Sequence, residues 1–504
     1  MAGIGFALKR MFKDDSFTKR GIAYIYSSFV AAGPWIISVL AINLLLFFME
    51  ALDVNVDERN LLSATIVYSF LFSQLIISPF QLVVTRYLSD KLYMRDYRYI
   101  RPSYMGFNQI IFAITLVVSV VFYYNKPLPI YYKIMSVYLF VIISMIWVIM
   151  IYLSAVKNYK LIVNAYLAGA LISVGLMILL VRSPLPFGEV ETASNFLFAY
   201  LMGLSVVFLI FLYNFLSTFF YGNGYKFDFL RYIDKFSSLF FIGLFYTSGI
   251  WIDNILMWFS KLNLEIYETY RFAPFYDNAI FLSYLTIIPS LVLFLVFVET
   301  DFYSTYKNYF QKVNGAETYG KINSAYHRMK RSLNFNLFYS FEVQALITLT
   351  VVLLAKPIFK LIKINYVIRD IFKITAVGSL FNILFFTVML ILLYFELKKR
   401  AMLVATCFFF SNLIFTIYFR SKGAEFYGYG FTISSIITFI FSMILYKTFM
   451  NRVNYVTFAR QPIYIKKTTG FFVRLSDRAN RRAEAKRIAD FKKAEEAVAP
   501  PSKN

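Results

Sequence analysis

Residues 22–49, IAYIYSSFVAAGPWIISVLAINLLLFFM, decide the fold of this chain. No charged side chain interrupts them, two cations stand just before them, and a Gly33-Pro34-Trp35 break lies near their middle. A helix needs about 20 apolar residues to cross a hydrocarbon core about 30 Å thick. The stretch therefore predicts a membrane-spanning helix, the first of a series.

The composition indicates a polytopic membrane protein. Of the 504 residues, 59% are hydrophobic and 20% aromatic, and the mean hydropathy is +0.62, whereas about a quarter of the residues of an ordinary soluble domain are charged. The formal net charge of +23 lies mostly between the apolar stretches, so we expect contact with membrane lipid and no nucleic-acid partner. The single histidine, His327, and single cysteine, Cys407, provide no metal-binding cluster, and we expect no cofactor.

The apolar segments predict an all-α integral membrane protein with about twelve spans in two six-helix lobes. Eleven segments follow the first, near 61–84, 104–124, 130–153, 161–181, 195–219, 237–259, 277–298, 333–354, 370–394, 401–419 and 426–449. The predicted organisation is a basic leader (1–21), a first lobe (22–219), a linker (220–236), a second lobe (237–449) and a basic tail (450–504).

The distribution of cations predicts the orientation. Most of the 51 Lys and Arg residues fall on the side that carries both termini, and cytoplasmic loops carry such an excess. We therefore expect both termini in the cytoplasm. One loop on the other side is also basic, with Lys356, Lys360, Lys363 and Arg369. It is either a polar patch that faces an exported or periplasmic partner, or a misplaced span boundary.

The two lobes resemble each other in sequence. Aligning the seventh span with the first pairs Lys19 with Lys235, Gly33 with Gly249, Trp35 with Trp251 and Leu40 with Leu256. Spans two and eight each carry a proline in the inner half, Pro79 and Pro289. Because each lobe has an even number of spans, the repeats would be parallel, about an axis along the membrane normal. This architecture favours a transporter with its pathway and central cavity between the lobes.

Charged side chains inside the spans are candidate pathway groups, because a charge at mid-bilayer costs at least about 2–3 kcal/mol. Asp253 lies in the outer third of span seven and Glu342 near the middle of span nine. Each lines a hydrophilic pathway or pairs with a cation for structural reasons. Asp277, at the outer start of span eight, marks a boundary or takes part in an interaction. Pro34 is expected to bend its helix. The bend either serves gating or is a kink of the kind that membrane helices tolerate.

Clusters of cations outside the spans are candidate docking groups for a partner or for lipid headgroups. In the tail, the apolar patch of residues 471–475 precedes a run of cations, which indicates either a membrane-surface or partner-docking helix, or a solvated one. The candidate docking cations are Arg95, Arg98, Arg101, Lys330, Arg331, Arg481 and Arg482.

Five motifs resemble a known family, the PelG membrane exporters of the Pel exopolysaccharide system. They are MAGIGFALKR (1–10), GPW (33–35), GIWID (249–253), YDNAIFLSYLTIIP (276–289) with ETDFY (299–303), and YFELKKR (394–400). The resemblance runs from residue 1 to about 460. The chain departs from the family pattern at Asn254, where a basic residue is expected, and in its longer basic tail.

The resemblance implies a transporter of the multidrug/oligosaccharidyl-lipid/polysaccharide flippase group in the bacterial cytoplasmic membrane, and not an enzyme. Its expected cargo is an amino-sugar polymer for biofilm. Its expected partners are a cytosolic glycosyltransferase and membrane subunits, one of which senses cyclic di-GMP. The expected pathway residues are Gly33, Pro34 and Trp35 as a gating kink, Trp251 and Tyr284 as sugar-stacking rings, and Asp253, Asp277, Pro289 and Glu342 around a cavity between spans 1, 2, 7 and 8.

Three other functions remain open from the sequence. Two are transport functions of the same fold, the flipping of a lipid-linked oligosaccharide and ion-coupled drug antiport. The third is a non-transporting scaffold that docks the synthase through its basic loops and tail.

Overall fold

The structure is a computed structural model that describes residues 37, 41–156, 159–459 and 469–481. The first half of the chain forms an N-terminal bundle of helices. Asn55 caps the long second helix, because its side chain accepts a hydrogen bond from the Asp57 backbone N–H at 3.0 Å. The helices are α1 (Ala41–Ala51), α2 (Val56–Tyr93), α3 (Ile100–Tyr123), α4 (Ile130–Val156), α5 (Tyr159–Arg182) and α6 (Glu191–Thr218).

The second half forms a C-terminal bundle, preceded by the short linker helix α7 (Arg231–Lys235). Its helices are α8 (Ser237–Met257), α9 (Pro274–Leu285), α10 (Ile288–Phe297), α11 (Tyr303–Asn314), α12 (Tyr319–Leu361), α13 (Tyr366–Tyr394), α14 (Lys398–Lys422) and α15 (Tyr429–Met450). Two shorter helices follow, α16 (Val453–Ala459) and α17 (471–481).

The described helices confirm the predicted class. Within the described residues, eleven helical segments are long and apolar enough to cross a membrane, and they coincide with predicted spans two to twelve. The first predicted span lies mostly outside the described residues, which include only its last part in α1. Gly33, Pro34 and Trp35 therefore lie outside the described residues, and their gating role stays a prediction.

One predicted loop is largely helical. Residues 299–332 separate two apolar segments in the sequence, but α10 continues through a π-helical turn, Val298–Phe302, into α11, and α12 begins at Tyr319. Hydropathy detects only the part of a helix that lies in the hydrocarbon. At about 1.5 Å per residue, the 43 residues of α12 exceed a bilayer core about twofold.

A β-hairpin between α8 and α9 was not predicted. Strands β1 (Leu264–Ile266) and β2 (Tyr270–Phe272) pair antiparallel, with Glu265 opposite Arg271. Tyr267 and Glu268 in the turn both have a φ of 47°, a left-handed conformation that L-residues seldom adopt. We call the side of the molecule that carries this hairpin the hairpin end, and the opposite side, with residues 220–236, the linker end.

Helices α2 and α8 pack against each other in antiparallel orientation, and we call this contact the seam. From the hairpin end to the linker end, Tyr68 stacks on Trp258 with ring centroids 4.3 Å apart, and Phe80 meets Phe240 edge to face at 5.6 Å. Between these pairs the backbones touch. A Cβ on Gly243 would lie 2.0 Å from the Ser78 carbonyl oxygen. Glycine at this position therefore sets the distance between the two bundles.

Replacing Gly243 with alanine should destabilise the protein by about 1–3 kcal/mol, because the added methyl group overlaps backbone that has no side-chain freedom to yield. The measurement is the apparent melting temperature in detergent. Gly175→Ala in α5 is the matched control, since a Cβ there meets no atom within 4 Å. Equal melting temperatures for the two variants would show that the seam is not closely packed at Ser78.

Candidate functional site

The hairpin end of the seam is held by a cluster of hydroxyl groups from both bundles. Thr65 Oγ1 of α2 lies 2.9 Å from the Tyr132 hydroxyl and 3.1 Å from the Tyr270 hydroxyl. Tyr270, on β2, also lies 2.6 Å from the Tyr123 hydroxyl. All four side chains are buried, so the hydrogen bonds between them satisfy hydroxyl groups that water does not reach.

The linker end of the seam is held by ion pairs. Arg86 of α2 contacts Glu396, in the turn between α13 and α14, and Lys91 lies 3.2 Å from Asp228 of the linker. Burial acts to raise the pKa of Glu396, but the hydrogen bond and charge of Lys398 and the charge of Arg86 outweigh it, so this pKa is lowered. The carboxylate is therefore ionised at neutral pH, and the pairing weakens only on acidification through this lowered pKa.

A group of buried polar side chains lies directly behind the seam, inside the C-terminal bundle, and we call it the acid cluster. Asp253 of α8 is fully buried, and its Oδ2 accepts a hydrogen bond from the Tyr276 hydroxyl at 2.6 Å. Its Oδ1 receives no well-formed hydrogen bond within the described part of the chain. The Asn412 amide lies beside it and donates to the Gly249 carbonyl at 2.8 Å.

Asp277 is the second carboxyl group of the acid cluster and is fully engaged. Its Oδ1 accepts from Asn254 Nδ2 at 2.7 Å, and its Oδ2 accepts from Trp258 Nε1 at 2.9 Å and from the Ala273 backbone N–H at 3.3 Å. The sequence analysis predicted a boundary or interaction role for Asp277. Its donors fix it to α8, and through Trp258 it joins the stack on Tyr68 in the other bundle.

The acid cluster contains two carboxyl groups, and the described part of the chain supplies no basic partner for them. Within the described residues, no Lys, Arg or His nitrogen lies within 4.0 Å of Asp253 or Asp277, and no group of three or more His, Cys, Asp or Glu residues is placed to hold a metal. Asn254 Oδ1 and the Tyr284 hydroxyl also lack hydrogen-bond partners there. Buried oxygen atoms of this kind suit a ligand that brings hydrogen-bond donors or positive charge.

The other pathway candidates have different surroundings. Trp251, half-buried on α8, donates its indole N–H to Gln74 Oε1 of α2 at 2.9 Å, so this predicted stacking ring lies on the seam. Tyr284, also half-buried, meets Phe431 edge to face at 5.8 Å. Glu342, on α12, is exposed. The transport role of each stays a prediction.

A break in the eighth span was missed by the sequence analysis. The α-helix stops after Leu285 and resumes at Ile288, next to the exposed Pro289. Gln344, fully buried on α12, stabilises the break, because it donates to the Thr286 carbonyl at 3.2 Å and accepts a hydrogen bond from Ser290. A buried amide that contacts the broken span thus lies only two residues from the exposed Glu342. The proline was the one sequence signal.

The predicted docking cations have different surroundings. Arg98 pairs with Asp96 at 2.9 Å, Arg101 donates to the Phe220 carbonyl, and Lys330 donates to Asn451 Oδ1 at 3.0 Å. Three others, Arg95, Arg331 and Arg481, are exposed, whereas Arg482 lies outside the described residues. The structure thus leaves several of them accessible at the linker end.

A family model now accounts for nearly the whole chain. The model of the PelG family, an exopolysaccharide exporter (EPS-E), matches residues 1–458. The chain belongs to the PelG exopolysaccharide exporter family. No curated protein matches the sequence significantly.

Solved structures similar to this PelG-family chain are MATE-type transporters of the MOP superfamily. An outward-facing multidrug resistance MATE transporter has 11% identity and a TM-score of 0.59, covering 86% of this chain and 96% of that one. A Vibrio cholerae MATE transporter variant, VcmN, has 10% identity and a TM-score of 0.55, covering 85% of this chain and 97% of that one. A Pyrococcus furiosus MOP transporter has 10% identity and a TM-score of 0.53, covering 85% of this chain and 95% of that one. The likeness establishes the fold. Family and fold are those of multi-pass membrane transporters and not of enzymes.

The tail helix α17 lies beyond the PelG family match. The Val473 backbone N–H donates to Asp234 Oδ2 at 2.8 Å, and Asp477 pairs with Arg231 at 2.5 Å, so α17 is docked on the linker. Phe471 and Leu475 point away and are exposed. The exposed face of α17 can therefore contact lipid or a partner, as the sequence analysis predicts.

Replacing Asp277 with alanine should lower the melting temperature sharply, because three buried donors would lose their acceptor at about 1–3 kcal/mol each. The melting temperature of Asp277→Asn should lie between those of the alanine variant and the unaltered protein. Asparagine keeps the shape of the side chain, but an amide nitrogen that donates replaces one accepting oxygen. Thermal unfolding in detergent measures the order. Asp301→Ala, at an exposed position, is the control, and an Asp277→Ala variant as stable as this control would contradict the assignment.

Proposed function

We propose that this protein exports a Pel-like amino-sugar polysaccharide across the bacterial cytoplasmic membrane. The polymer is made by a cytosolic glycosyltransferase and leaves the cell through a biofilm exopolysaccharide complex. In this arrangement both termini are cytoplasmic, and membrane subunits that include a cyclic di-GMP sensor assemble around the exporter. The match of the PelG family model to residues 1–458 carries the proposal.

The acid cluster supports an amino-sugar cargo. A polymer that contains galactosamine carries ammonium groups and many hydroxyl donors. The cluster offers Asp253 Oδ1, Asn254 Oδ1 and the Tyr284 hydroxyl, which have no hydrogen-bond partner among the described residues. Charge complementarity between an acidic lining and a cationic cargo is a usual source of selectivity in pores. Because the cluster is closed in this conformation, a cargo reaches it only if the bundles move apart at the seam.

The cations at the linker end support docking of the cytosolic synthase. Arg95 and Arg331 are exposed there, and the positive-inside rule places this end in the cytoplasm. A glycosyltransferase bound at this end would release its polymer beside the seam. Direct delivery of this kind needs no lipid carrier.

The decisive experiment is reconstitution with the polysaccharide synthase. Liposomes that contain both proteins receive the sugar nucleotide from outside, and polymer in the lumen is protected from an added glycoside hydrolase. We expect Asp253→Asn and Glu342→Gln to lower the protected polymer at least about tenfold while protein levels stay unchanged. Each removes a carboxylate that the proposal assigns to attraction of the cationic cargo, and a loss of about 1.4 kcal/mol of that attraction is tenfold.

The control is Glu425→Gln, which removes an exposed carboxylate from the turn between α14 and α15. It should export normally. Normal export by both pathway variants would refute the pathway assignment, and polymer that stays outside liposomes of the unaltered protein would favour the scaffold function.

Export should require separation of the bundles at the seam. In a Cys407→Ser background, Phe80→Cys and Phe240→Cys replace two rings whose centroids are 5.6 Å apart, and a short bifunctional thiol reagent with a cleavable disulfide can bridge them. We expect export to fall to background after cross-linking and to return on reduction. Each single-cysteine variant should be insensitive to the reagent. Full export by the cross-linked protein would mean that the seam stays closed during transport.

Ion-coupled antiport is the second candidate, and one observation favours it. Two buried carboxyl groups without a basic partner in the described residues form a suitable place for a coupling cation. A transmembrane sodium or proton gradient that drives drug uptake into liposomes without the synthase would support this function. Flipping of a lipid-linked oligosaccharide predicts instead that a lipid-linked intermediate accumulates in cells that lack the protein.

A further inference from the structure

A groove of about 510 Å³ lies between α12, α13 and α15, and none of its lining residues belongs to the acid cluster. Over most of its length the walls are apolar, with Leu337 and Phe338 of α12, Leu384 of α13, and Phe439 and Met443 of α15. Phe338 is 61% exposed. These helices are predicted spans, so the apolar part of the groove opens at the depth of the acyl chains.

One end of the groove is polar and cationic. Helices α12 and α15 run antiparallel here, because Lys330 Nζ donates to Asn451 Oδ1 at 3.0 Å and the Tyr446 hydroxyl donates to Asn334 Oδ1 at 3.0 Å. Lys447 lines the same end. These hydrogen bonds join the helices and hold the Lys330 ammonium at the mouth of the groove.

A second hollow of about 540 Å³ continues from this end, and we call it the vestibule. It shares Lys330 and Asn334 with the groove and adds His327, Arg331 and Phe335. Within the described residues, no carboxylate oxygen lies within 4.0 Å of the charged nitrogens of Lys330, Arg331 or Lys447. The three cations therefore produce an uncompensated positive field that attracts an anion.

The cations lie at the depth of lipid headgroups. Lys330 precedes the apolar segment 333–354, and Lys447 closes the segment 426–449. Both charges thus occur where a span leaves the hydrocarbon, and this is the end that the charge distribution places in the cytoplasm. Basic pockets between membrane helices on that side bind anionic headgroups.

We propose that the groove and vestibule bind one anionic glycerophospholipid, with an acyl chain along the apolar walls and the phosphate at Lys330, Arg331 and Lys447. The apolar walls of the groove match the acyl chain of this ligand, and the cationic end matches its phosphate. Free phosphate would leave the apolar walls unfilled, and an apolar partner helix would leave the cations without counter-charge.

Titration of the full-length protein in nonionic detergent tests the proposal, with bound lipid counted by native mass spectrometry. Phosphatidylglycerol should bind more tightly than phosphatidylcholine. Lys330→Gln with Lys447→Gln should weaken phosphatidylglycerol binding about 25-fold, since each cation near a membrane surface contributes about a fivefold factor. The matched control is Lys356→Gln with Lys360→Gln, two exposed cations at the other end of α12, which should leave the affinity unchanged.

Met443→Trp separates a lipid from a bare phosphate group, because it fills the apolar part and leaves the cations in place. We expect at least a tenfold loss of phosphatidylglycerol binding and no change in inorganic phosphate binding. Unchanged lipid binding in Met443→Trp, with competition by inorganic phosphate, would overturn the lipid assignment. Equal affinities in the Lys330/Lys447 variant and its control would overturn the site itself.

Discussion

The close antiparallel packing of α2 and α8 is the contact on which the arrangement of the two bundles depends. Between membrane helices the hydrophobic effect supplies little attraction, so close packing and hydrogen bonds must hold them together. Gly243 permits the backbone contact with Ser78, and Gln74 receives the Trp251 indole N–H. The hydroxyl cluster and the ion pairs at the two ends of the seam then fix its register.

The acid cluster shares α8 with the seam, and this shared helix couples them. Trp251 faces the other bundle, while Asp253, two residues later, faces α9. A rotation or shift of α8 that opens the seam therefore also changes the hydrogen bonds of Asp253 and, through Trp258, of Asp277. The PelG pattern leads one to expect a basic residue after the aspartate. Asn254 occupies that position here and donates to Asp277 instead.

The sequence predicted the spans because length and hydropathy alone determine which segments cross a membrane. It also singled out Asp253, since a charge in an apolar run is conspicuous. It could not provide the partners of Asp277, because Asn254, Trp258 and Ala273 meet it only after α8 and α9 pack. The hairpin was missed since three-residue strands leave no measurable alternation. The sequence analysis selected Glu342 and missed Gln344. The neutral amide can satisfy the hydrogen-bonding groups of the broken helix without the penalty of a buried charge.

The hairpin also constrains the order of folding. Tyr270 follows Thr65 by 205 positions, so the chain must be synthesised through α8 before Tyr270 can reach the hydroxyls of Thr65 and Tyr123. Until then the N-terminal bundle holds an incomplete hydrogen-bond network at its hairpin end. Completion of this network must therefore wait until the hairpin that precedes α9 has been made, so a contact that joins the two bundles closes late in synthesis.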